Sequence, residues 1–448
     1  MVDQAPESEP KADFGAWWML TILLALYILS FVDRFVIVML VDPIAEDLSL
    51  SDFEMSLVLG PAFGVCYAIF GLPLGWAADR YDRRWVIFWG VVVWSFSTIA
   101  TGVATGFLML IAARMLVAVG EASQTPAAHS MITDRFPRER LTTAISIYSM
   151  GPKAGSSLAF IIGGLIIAAT AAAGAATLPG LGRMEPWHLT MIIVGAPGLV
   201  MAFLIFTIKE PTRRTAPVAN GEAASETFLS YVGARRQLFV PLIAGFCFVS
   251  IASVALQNWI PAYMDRHFGW RPIEYGAAIG IISALAALTL PLKGVFVDWM
   301  YARGVDDAPL RFYTWLLAGT LPVSGVAFFL SNPYIFLILY GLIQVVALPY
   351  MLYASATIQV IAPNAMRGRL IGGLLFFVSI AATMLGPTLV AFLNDFILPG
   401  KNQLGPALGI VSVAGIGLGY LCLRGSLRRV APLVARARAD GDEGQGGA

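Results

Sequence analysis

The chain has 448 residues, of which 58% are hydrophobic and 13% are charged, and its mean hydropathy is +0.75. Soluble domains are about half apolar and about a quarter charged, so this composition predicts an integral membrane protein and excludes a soluble enzyme or a nucleic-acid-binding protein. The net charge of +1 provides no field that would steer a polyanion toward the molecule.

Twelve apolar stretches of about 20 residues follow along the chain, each long enough to cross ~30 Å of hydrocarbon at ~1.5 Å per helical residue. We therefore expect an all-α membrane protein with twelve transmembrane helices. No small-residue cleavage site follows the first stretch, which we interpret as a retained helix and not a signal peptide. The stretches lie near 17–40, 54–77, 85–104, 107–132, 142–169, 187–208, 237–264, 275–300, 310–330, 333–361, 369–393 and 405–423.

Basic residues are distributed unevenly among the connections between these stretches. Most of the 29 lysines and arginines fall on the side that also carries both chain ends. Since basic connections stay in the cytoplasm, we expect both termini to be cytoplasmic. The chain is then a multi-pass protein of the plasma membrane, expected to be the inner membrane of a bacterium.

The longest hydrophilic connection, residues 209–236, divides the stretches six and six. It indicates a cytoplasmic linker between helical bundles at 17–208 and 237–423, with a cytoplasmic tail at 1–16 and a basic cytoplasmic tail at 424–448. Three short patterns recur in the same order in both halves, which suggests duplication and two pseudo-symmetric six-helix bundles. This is the architecture of secondary transporters. The patterns are Gly75 with Asp79 and Gly294 with Asp298, Pro137–Arg140 and Pro363–Arg369, and Gly151-Pro152 and Gly386-Pro387.

Six charged residues lie well inside the apolar stretches. Each costs ~2.5–3.5 kcal/mol at a helix centre, so these side chains should face a cavity or one another. Asp33 and Glu121 are candidates for a protonation switch, because rearranging ion pairs around a buried carboxyl group binds or releases a proton. The alternative is a static ion network that fixes helix packing. The six residues are Asp33, Arg34, Arg114, Glu121, Lys153 and Lys293.

The basic members of this set have two possible roles. Arg34 and Arg114 are candidates either for proton-coupling partners of the carboxyl groups or for anchors of an anionic headgroup. Lys153 is a candidate for substrate contact or for simple packing with a snorkelling amine. We interpret Lys293 as structural. The three cysteines, Cys66, Cys247 and Cys422, lack metal-ligand spacing, and no phosphate-binding loop occurs, so we expect no cofactor, no ATP drive and no enzyme activity.

The stretch from Gly75 to Arg84 resembles the loop motif of the major facilitator superfamily. Asp33-Arg34, residues 79–84 and residues 114–123 resemble the spinster subfamily of lipid transporters. The resemblance covers residues 25–165 and implies that the first and fourth segments line a central cavity, where their charged groups would meet. Two residues depart from the pattern: Asp82 stands where the superfamily usually has Gly, and Lys153 lies inside the Gly-Pro motif.

The resemblance also implies that the loop after the second segment locks one side of the transporter. Its charged residues are Asp79, Arg80, Arg83 and Arg84, with Asp134 or Arg135 as expected partners and Asp298 and Arg303 as a weaker second copy. The alternative is that these arginines only determine topology in contact with anionic lipids.

These features together predict a proton-coupled secondary transporter that works by alternating access. The resemblance implies a lysophospholipid or sphingoid-type lipid substrate, with protons and membrane lipids as further partners, no nucleic acid, and a monomeric protein. Glycines such as Gly155 and Gly373 would either let an acyl chain pass between helices or serve close packing. The alternatives are an organic-anion or drug transporter of the same fold and, in another class, a membrane receptor that does not transport its ligand.

Overall fold

A computed structural model describes residues 12–178, 182–213, 228–346, 349–362, 366–400 and 402–445. Side chains after residue 430 are not described. Residues 1–11, half of the predicted linker (214–227) and the first part of the 363–369 pattern lie outside the described residues, as do the side chains of the basic tail beyond Val430. The chain divides into two compact units: one comprises Met1–Val218 with Arg271–Gly280, and the other comprises Ala219–Trp270 with Ile281–Ala448.

The first unit contains the first six spans and one short hairpin. Several spans are built from two helices in sequence, and 3-10 turns at Ile37–Leu40 and Ala202–Thr207 extend the first and sixth spans. The helices are α1 Phe14–Val36, α2 Val41–Leu48, α3 Asp52–Leu59, α4 Pro61–Arg80, α5 Arg83–Thr101, α6 Phe107–Ala122, α7 Gln124–Arg135, α8 Arg138–Ser149, α9 Gly151–Ala173 and α10 Pro186–Met201. The strands β1 Ala176–Leu178 and β2 Gly182–Met184 pair antiparallel, and no stretch in the sequence predicted this hairpin.

The second unit contains the other helices, except that the first residues of α13, up to Gly280, cluster with the first unit. A π-helical turn at Leu393–Ile397 follows α18. The helices are α11 Phe228–Ala234, α12 Arg236–Phe268, α13 Pro272–Leu288, α14 Leu290–Ala302, α15 Ala308–Ala327, α16 Pro333–Val346, α17 Tyr350–Ile361, α18 Arg367–Phe392 and α19 Leu404–Gln445.

Eleven helical runs within the described ranges are long and apolar enough to cross a membrane. The predicted ninth segment is the twelfth candidate: it forms α15, a helix of 20 residues that falls outside those eleven. The predicted boundaries mostly lie within a few residues of the observed ones. The first span is longer than predicted, because its helix continues from Leu40 to Leu48. The last span is longer as well, because α19 continues past Leu423 without a break.

Proline positions account for the breaks in the first and fourth spans. Proline has no backbone N–H and its ring crowds the carbonyl four residues earlier, so a regular helix cannot continue through it unchanged. Pro126 follows Glu121 closely, and the fourth span is interrupted at Ser123, between α6 and α7. Pro43 frees the carbonyl of Met39, which instead accepts a hydrogen bond from the Tyr275 hydroxyl at 3.3 Å.

Each unit packs its first span against its fifth through a glycine. In the first unit, a Cβ on Gly155 would lie 2.5 Å from the Phe31 Cβ and 2.8 Å from the Ile28 carbonyl oxygen of α1. In the second unit, a Cβ on Gly386 would lie 3.0 Å from both the Ala255 nitrogen and the Ile251 carbonyl oxygen of α12. Only a residue without a side chain lets the two backbones approach so closely.

Candidate functional site

Four charged side chains form a buried cluster between the first and fourth spans. Asp33 and Arg34 lie near the end of α1, and Arg114 and Glu121 lie two turns apart on α6. Asp33 is 0% exposed, Arg114 is 1% exposed and Glu121 is 3% exposed. The structure thus brings together four of the six residues that the sequence had selected by the cost of burying charge.

Arg34 and Glu121 form an ion pair that joins the two spans. Arg34 Nη2 donates to Glu121 Oε2, and the side chain of Glu121 is almost fully buried. The Arg34 guanidinium also lies over aromatic rings, 4.6 Å from the centre of Phe31, 4.3 Å from that of Phe63 and 5.8 Å from that of Tyr67. Aromatic faces attract cations, so these rings hold Arg34 beside the carboxylate.

Arg114 has a different environment from Arg34. It donates no hydrogen bond to any described residue, and its buried Nε and Nη1 atoms are both without a partner. The Phe63 ring lies 5.7 Å from its guanidinium carbon, so this ring lies against both arginines. The charged groups that interact with it electrostatically are Glu121, Arg34 and Asp33. Arg114 is therefore a buried cation whose capacity to bind an anion is unused.

Asp33 is the least satisfied carboxyl group of the cluster. Its Oδ1 atom has no described partner, and its Oδ2 atom lies 3.4 Å from the Thr98 hydroxyl. That hydroxyl lies closer, at 3.0 Å, to the carbonyl oxygen of Trp94. Since one hydroxyl carries one proton, Thr98 bonds either to Trp94 or to Asp33 at a given moment.

A close crossing of α5 and α6 fixes the position of Glu121. A Cβ on Gly120 would lie 2.6 Å from the Gly90 carbonyl oxygen and 2.7 Å from the Trp94 nitrogen. Since Pro126 interrupts the helix shortly after this crossing, Glu121 lies at the end of α6, next to α1.

Lys153 is only partly exposed and forms no ion pair or hydrogen bond through its amine with any described residue. Its neighbour Gly151 packs against the Tyr27 ring, which stacks on Tyr148 with ring centres 4.7 Å apart. The sequence did not single out these tyrosines or Phe63. In an apolar span, an aromatic residue at helical spacing resembles any core residue.

A second charged cluster is centred on Arg83, at the first turn of α5. Its side chain is fully buried, and its N–H groups donate hydrogen bonds to two other segments of the chain. Nε donates to Glu210 Oε1 at 2.6 Å and Nη2 to the Pro211 carbonyl at 2.7 Å. Nη1 donates to Ser130 Oγ at 2.8 Å and to Asp134. Arg83 thereby ties the loop between the second and third spans to the end of α7 and to the chain after the sixth span.

The neighbours of Arg83 in the loop behave differently. Arg84 donates to Asp82 at 2.6 Å, and this hydrogen bond holds the pKa of the Asp82 carboxyl group below its usual range. Asp82 also caps α5 by accepting from the Arg84 backbone N–H at 2.9 Å. The departure from Gly at position 82 therefore supplies a helix cap. Asp79 is exposed and has no partner among the described residues, while Arg80 stacks on Trp76 at 4.3 Å.

The remaining predicted gate residues are placed as follows. Arg135 pairs with Asp13 at 2.5 Å, and this hydrogen bond lowers the pKa of Asp13, which also caps α1. In the second unit, Asp298 is exposed without a described partner, and Arg303 stacks on Trp299 at 3.7 Å. The sequence missed Glu210, Ser130 and Asp13, because partners so distant in the chain leave no signal in spacing.

No group of three or more His, Cys, Asp or Glu side chains in the described ranges is placed to hold a metal ion.

The sequence model of the Major Facilitator Superfamily matches residues 23–387, and the chain belongs to this superfamily. The MFS-type efflux pump of Mycolicibacterium smegmatis is 26% identical over 430 residues, 94% of either chain. The hexuronate transporter of Bacillus subtilis is 26% identical over 91% of this chain and 93% of its own length. Protein spinster of Drosophila melanogaster is 25% identical over 70% of this chain and 51% of its own length.

Among solved structures, a bacterial homolog of the human lysosomal transporter Spinster, in an inward-facing and unoccupied conformation, superimposes with a TM-score of 0.76. It is 24% identical and covers 95% of this chain and 97% of its own. These matches confirm the predicted twelve-helix all-α fold and the resemblance to spinster proteins. The protein is a multi-pass membrane transporter of this superfamily and not an enzyme.

Proposed function

We propose that the protein is a proton-coupled secondary transporter of an anionic or zwitterionic amphipathic lipid, of the lysophospholipid or sphingoid type. The observation that carries the proposal is Arg114, a buried cation with unused N–H groups, next to the Arg34–Glu121 ion pair and the unpaired Asp33. A buried cation without hydrogen bonds is costly, and an anionic ligand would remove that cost. The resemblance of residues 25–165 to the spinster subfamily of lipid transporters supports the lipid class of substrate.

In the proposed mechanism the four charges exchange partners. When a proton binds Glu121, the charge-assisted bond to Arg34 weakens, and Arg34 becomes free to bind an anion together with Arg114. When the proton leaves, Arg34 returns to Glu121 and the anion is released. Asp33 serves as the second proton site, since only one long contact from Thr98 reaches it. Lys153 is assigned a secondary role in contacting substrate.

The aromatic rings favour a ligand with an apolar part. Phe31, Phe63 and Tyr67 surround Arg34, so an anion held there has apolar surface next to it. A lysolipid offers a charged head and a chain that such surface would bind, whereas a small hydrophilic anion leaves the rings unused.

A second candidate substrate is a sugar acid. The hexuronate transporter of Bacillus subtilis aligns over nearly the whole of both chains, and a carboxylate matches an arginine pair as well as a phosphate does. A drug-like organic anion is a third candidate substrate. A receptor that binds without transport is distinguished by the absence of gradient-dependent flux.

The gate is part of the same proposal. We propose that the protein is a monomer with both termini in the cytoplasm of a bacterium, and that its two six-helix bundles work by alternating access. This cycle requires charged groups that close one side of the transporter. We assign this role chiefly to Arg83 with Asp134 and Glu210, which form bonds within the first unit. Arg80, Arg84, Arg135, Asp79, Asp298 and Arg303 are assigned supporting roles as topology and gate residues.

Reconstituted transport tests the proposal. The full-length protein in liposomes is expected to accumulate a labelled lysophospholipid when an imposed pH gradient makes the outside acidic, because the proposed mechanism binds the proton and the anion together, and unlabelled lysophospholipid should compete. Hexuronate in excess is expected to compete weakly. Strong uptake of hexuronate with no competition by lysolipids would select the sugar-acid candidate, and binding without flux would select the receptor.

A further inference from the structure

A cleft of about 480 Å³ lies between the beginning of α12 and the part of α19 near the end of the last candidate span, which ends at Val430. It belongs entirely to the second unit, so it is separate from the charge cluster of the first and from the proposed transport function. Its lining includes Pro241, Leu421, Arg424, Gly425, Arg428 and Arg429.

The helix sequences explain why a cleft forms at this place. The two helices touch closely one turn further along, where a Cβ on Gly245 would lie 2.7 Å from Leu423 and a Cβ on Gly419 would lie 3.1 Å from the Gly245 carbonyl oxygen. Gly425 has no side chain in the cleft, and a Cβ added to it would meet no atom within 4 Å.

Pro241 frees a backbone carbonyl to which one of the arginines of the cleft donates a hydrogen bond. Because proline has no N–H, the carbonyl of Gln237, four residues earlier, receives no helical hydrogen bond. Arg429 donates to this carbonyl through Nη1. Arg424 is held by a hydrogen bond of 2.6 Å from its Nη1 to the Tyr420 hydroxyl. Each guanidinium carries five N–H donors, so both arginines keep most of theirs unused.

The positive charge of the cleft is not neutralised by the described part of the chain. Arg424, Arg428 and Arg429 follow one another at helical spacing on α19, and none of them forms an ion pair with a described carboxylate. Arg428 also has no hydrogen bond through its side chain among the described residues. Three adjacent cations without counter-charges form a site for an anion.

The two ends of the cleft differ in polarity. Leu421 and Cys422 provide an apolar end, and Leu421 is 63% exposed. The arginines provide the charged end. We propose that this cleft binds the phosphate of an anionic phospholipid headgroup, with the glycerol and the first acyl carbons against Leu421 and Cys422. A free phosphate would satisfy the arginines but would leave the apolar end unused, and basic pockets between helices at a membrane boundary are suited to lipid headgroups.

Native mass spectrometry of the full-length protein tests this site. Detergent-purified protein is incubated with phosphatidylglycerol, with phosphatidylcholine or with inorganic phosphate, and retained ligands are counted. The wild type is expected to retain one phosphatidylglycerol in preference to phosphatidylcholine. Arg428→Gln should lower its affinity about 5-fold, which corresponds to the ~1 kcal/mol that each arginine contributes near an anionic surface. Gly425→Leu should reduce binding at least as much, because it fills the cleft while leaving every charge in place.

Arg236→Gln is the matched control, since this exposed arginine lies near the beginning of α12 but does not line the cleft. It should retain phosphatidylglycerol as the wild type does. Arg114→Gln, in the first unit, should also leave the cleft occupied, which separates this site from the proposed transport site. Equal retention by wild type, Arg428→Gln and Gly425→Leu would overturn the proposal. Displacement of the lipid by inorganic phosphate at matched concentration would overturn the lipid assignment and identify a free-anion site.

Discussion

Arg34 and Glu121 pair across the first and fourth spans, although Glu121 lies on the same helix as Arg114, two turns away. The pair leaves Arg114 buried and without a hydrogen bond to any described residue. A site with two cations and two carboxyl groups therefore holds one formed ion pair and one unused cation. In the proposed mechanism, the cluster adopts a second partner arrangement when Glu121 binds a proton.

The first prediction concerns the carboxyl groups. Glu121→Gln should reduce pH-gradient-driven uptake by about tenfold or more, because it removes a charge-assisted bond of ~1.5–3 kcal/mol and the proton site with it. Asp33→Asn should impair the same uptake. Exchange of substrate across the membrane without a gradient should be less affected. The matched control is Glu46→Gln, which removes an exposed carboxylate from the first span. Wild-type pH dependence in both test variants would exclude the assignment.

The second prediction concerns the headgroup anchor. Arg114→Gln should weaken lysophospholipid binding about 10- to 100-fold, since a hydrogen bond to a charged group contributes ~1.5–3 kcal/mol. Arg114→Lys keeps the charge but loses the planar donor arrangement, so it should restore only part of the affinity. Tryptophan fluorescence or calorimetry measures the lysophospholipid affinity of both variants. Unchanged affinity in Arg114→Gln would assign Arg114 to packing alone.

The third prediction compares two residues of the same loop. Arg83→Gln should destabilise the protein by about 3–5 kcal/mol, because it leaves Asp134 and Glu210 without their buried partner. Asp79→Asn should leave the thermal unfolding temperature close to that of the wild type, since Asp79 is exposed and has no described partner. Thermal unfolding in detergent separates the two. A large loss of stability in Asp79→Asn, with none in Arg83→Gln, would reverse the assignment.

The fourth prediction concerns Asp82 and pH. Asp82→Ala should cost about 1 kcal/mol at neutral pH through the lost helix cap. Asp82→Asn keeps a capping side chain and should cost less. The pKa of Asp82 lies below its ordinary value because of the hydrogen bond from Arg84, so its contribution is present above that ordinary value and is lost as the pH falls through the lowered pKa. Stability of the wild type below about pH 4 should therefore fall more steeply than that of Asp82→Asn. Parallel pH profiles would contradict this.

The fifth prediction concerns the two alternatives for the glycines, lipid access and close helix packing. Gly155 was a candidate opening between helices, but it packs against the backbone of α1, and Gly373 lies under the Phe228 ring, 2.4 Å from its added Cβ. Gly155→Ala should therefore lower the unfolding temperature. Gly372→Ala is the control, because nothing lies within 4 Å of its Cβ, and it should keep or slightly raise that temperature. Equal stability of the two variants would contradict the packing role and favour lipid access at Gly155.

Hydropathy and the cost of buried charge were sufficient to predict the spans and the members of the first cluster. Asp33, Arg34, Arg114 and Glu121 stood out because each is expensive in an apolar helix. The sequence did not predict which arginine pairs with Glu121, since this depends on the distance between two helices that are 87 residues apart at the contact.

The second cluster shows a different limit of the sequence. The loop motif drew attention to Asp79, whereas the buried centre is Arg83, held by Glu210 and Pro211 far along the chain. A basic loop next to a span resembles a topology signal, and only tertiary contacts distinguish a buried arginine from an exposed one. Residues after 423 were predicted as a separate basic tail, whereas α19 continues past residue 423 without a break, because its arginines reduce hydropathy without ending the helix.

The central claim is that substrate and protons move together through the Arg34–Glu121 cluster. The most direct measurement follows the internal pH of proteoliposomes with a trapped pH-sensitive dye while lysophospholipid is added outside, without any imposed gradient. The wild type is predicted to change the internal pH in proportion to the lipid transported, and Glu121→Gln with Asp33→Asn is predicted to show no such change. Lipid transport by the wild type with no movement of protons would contradict the account.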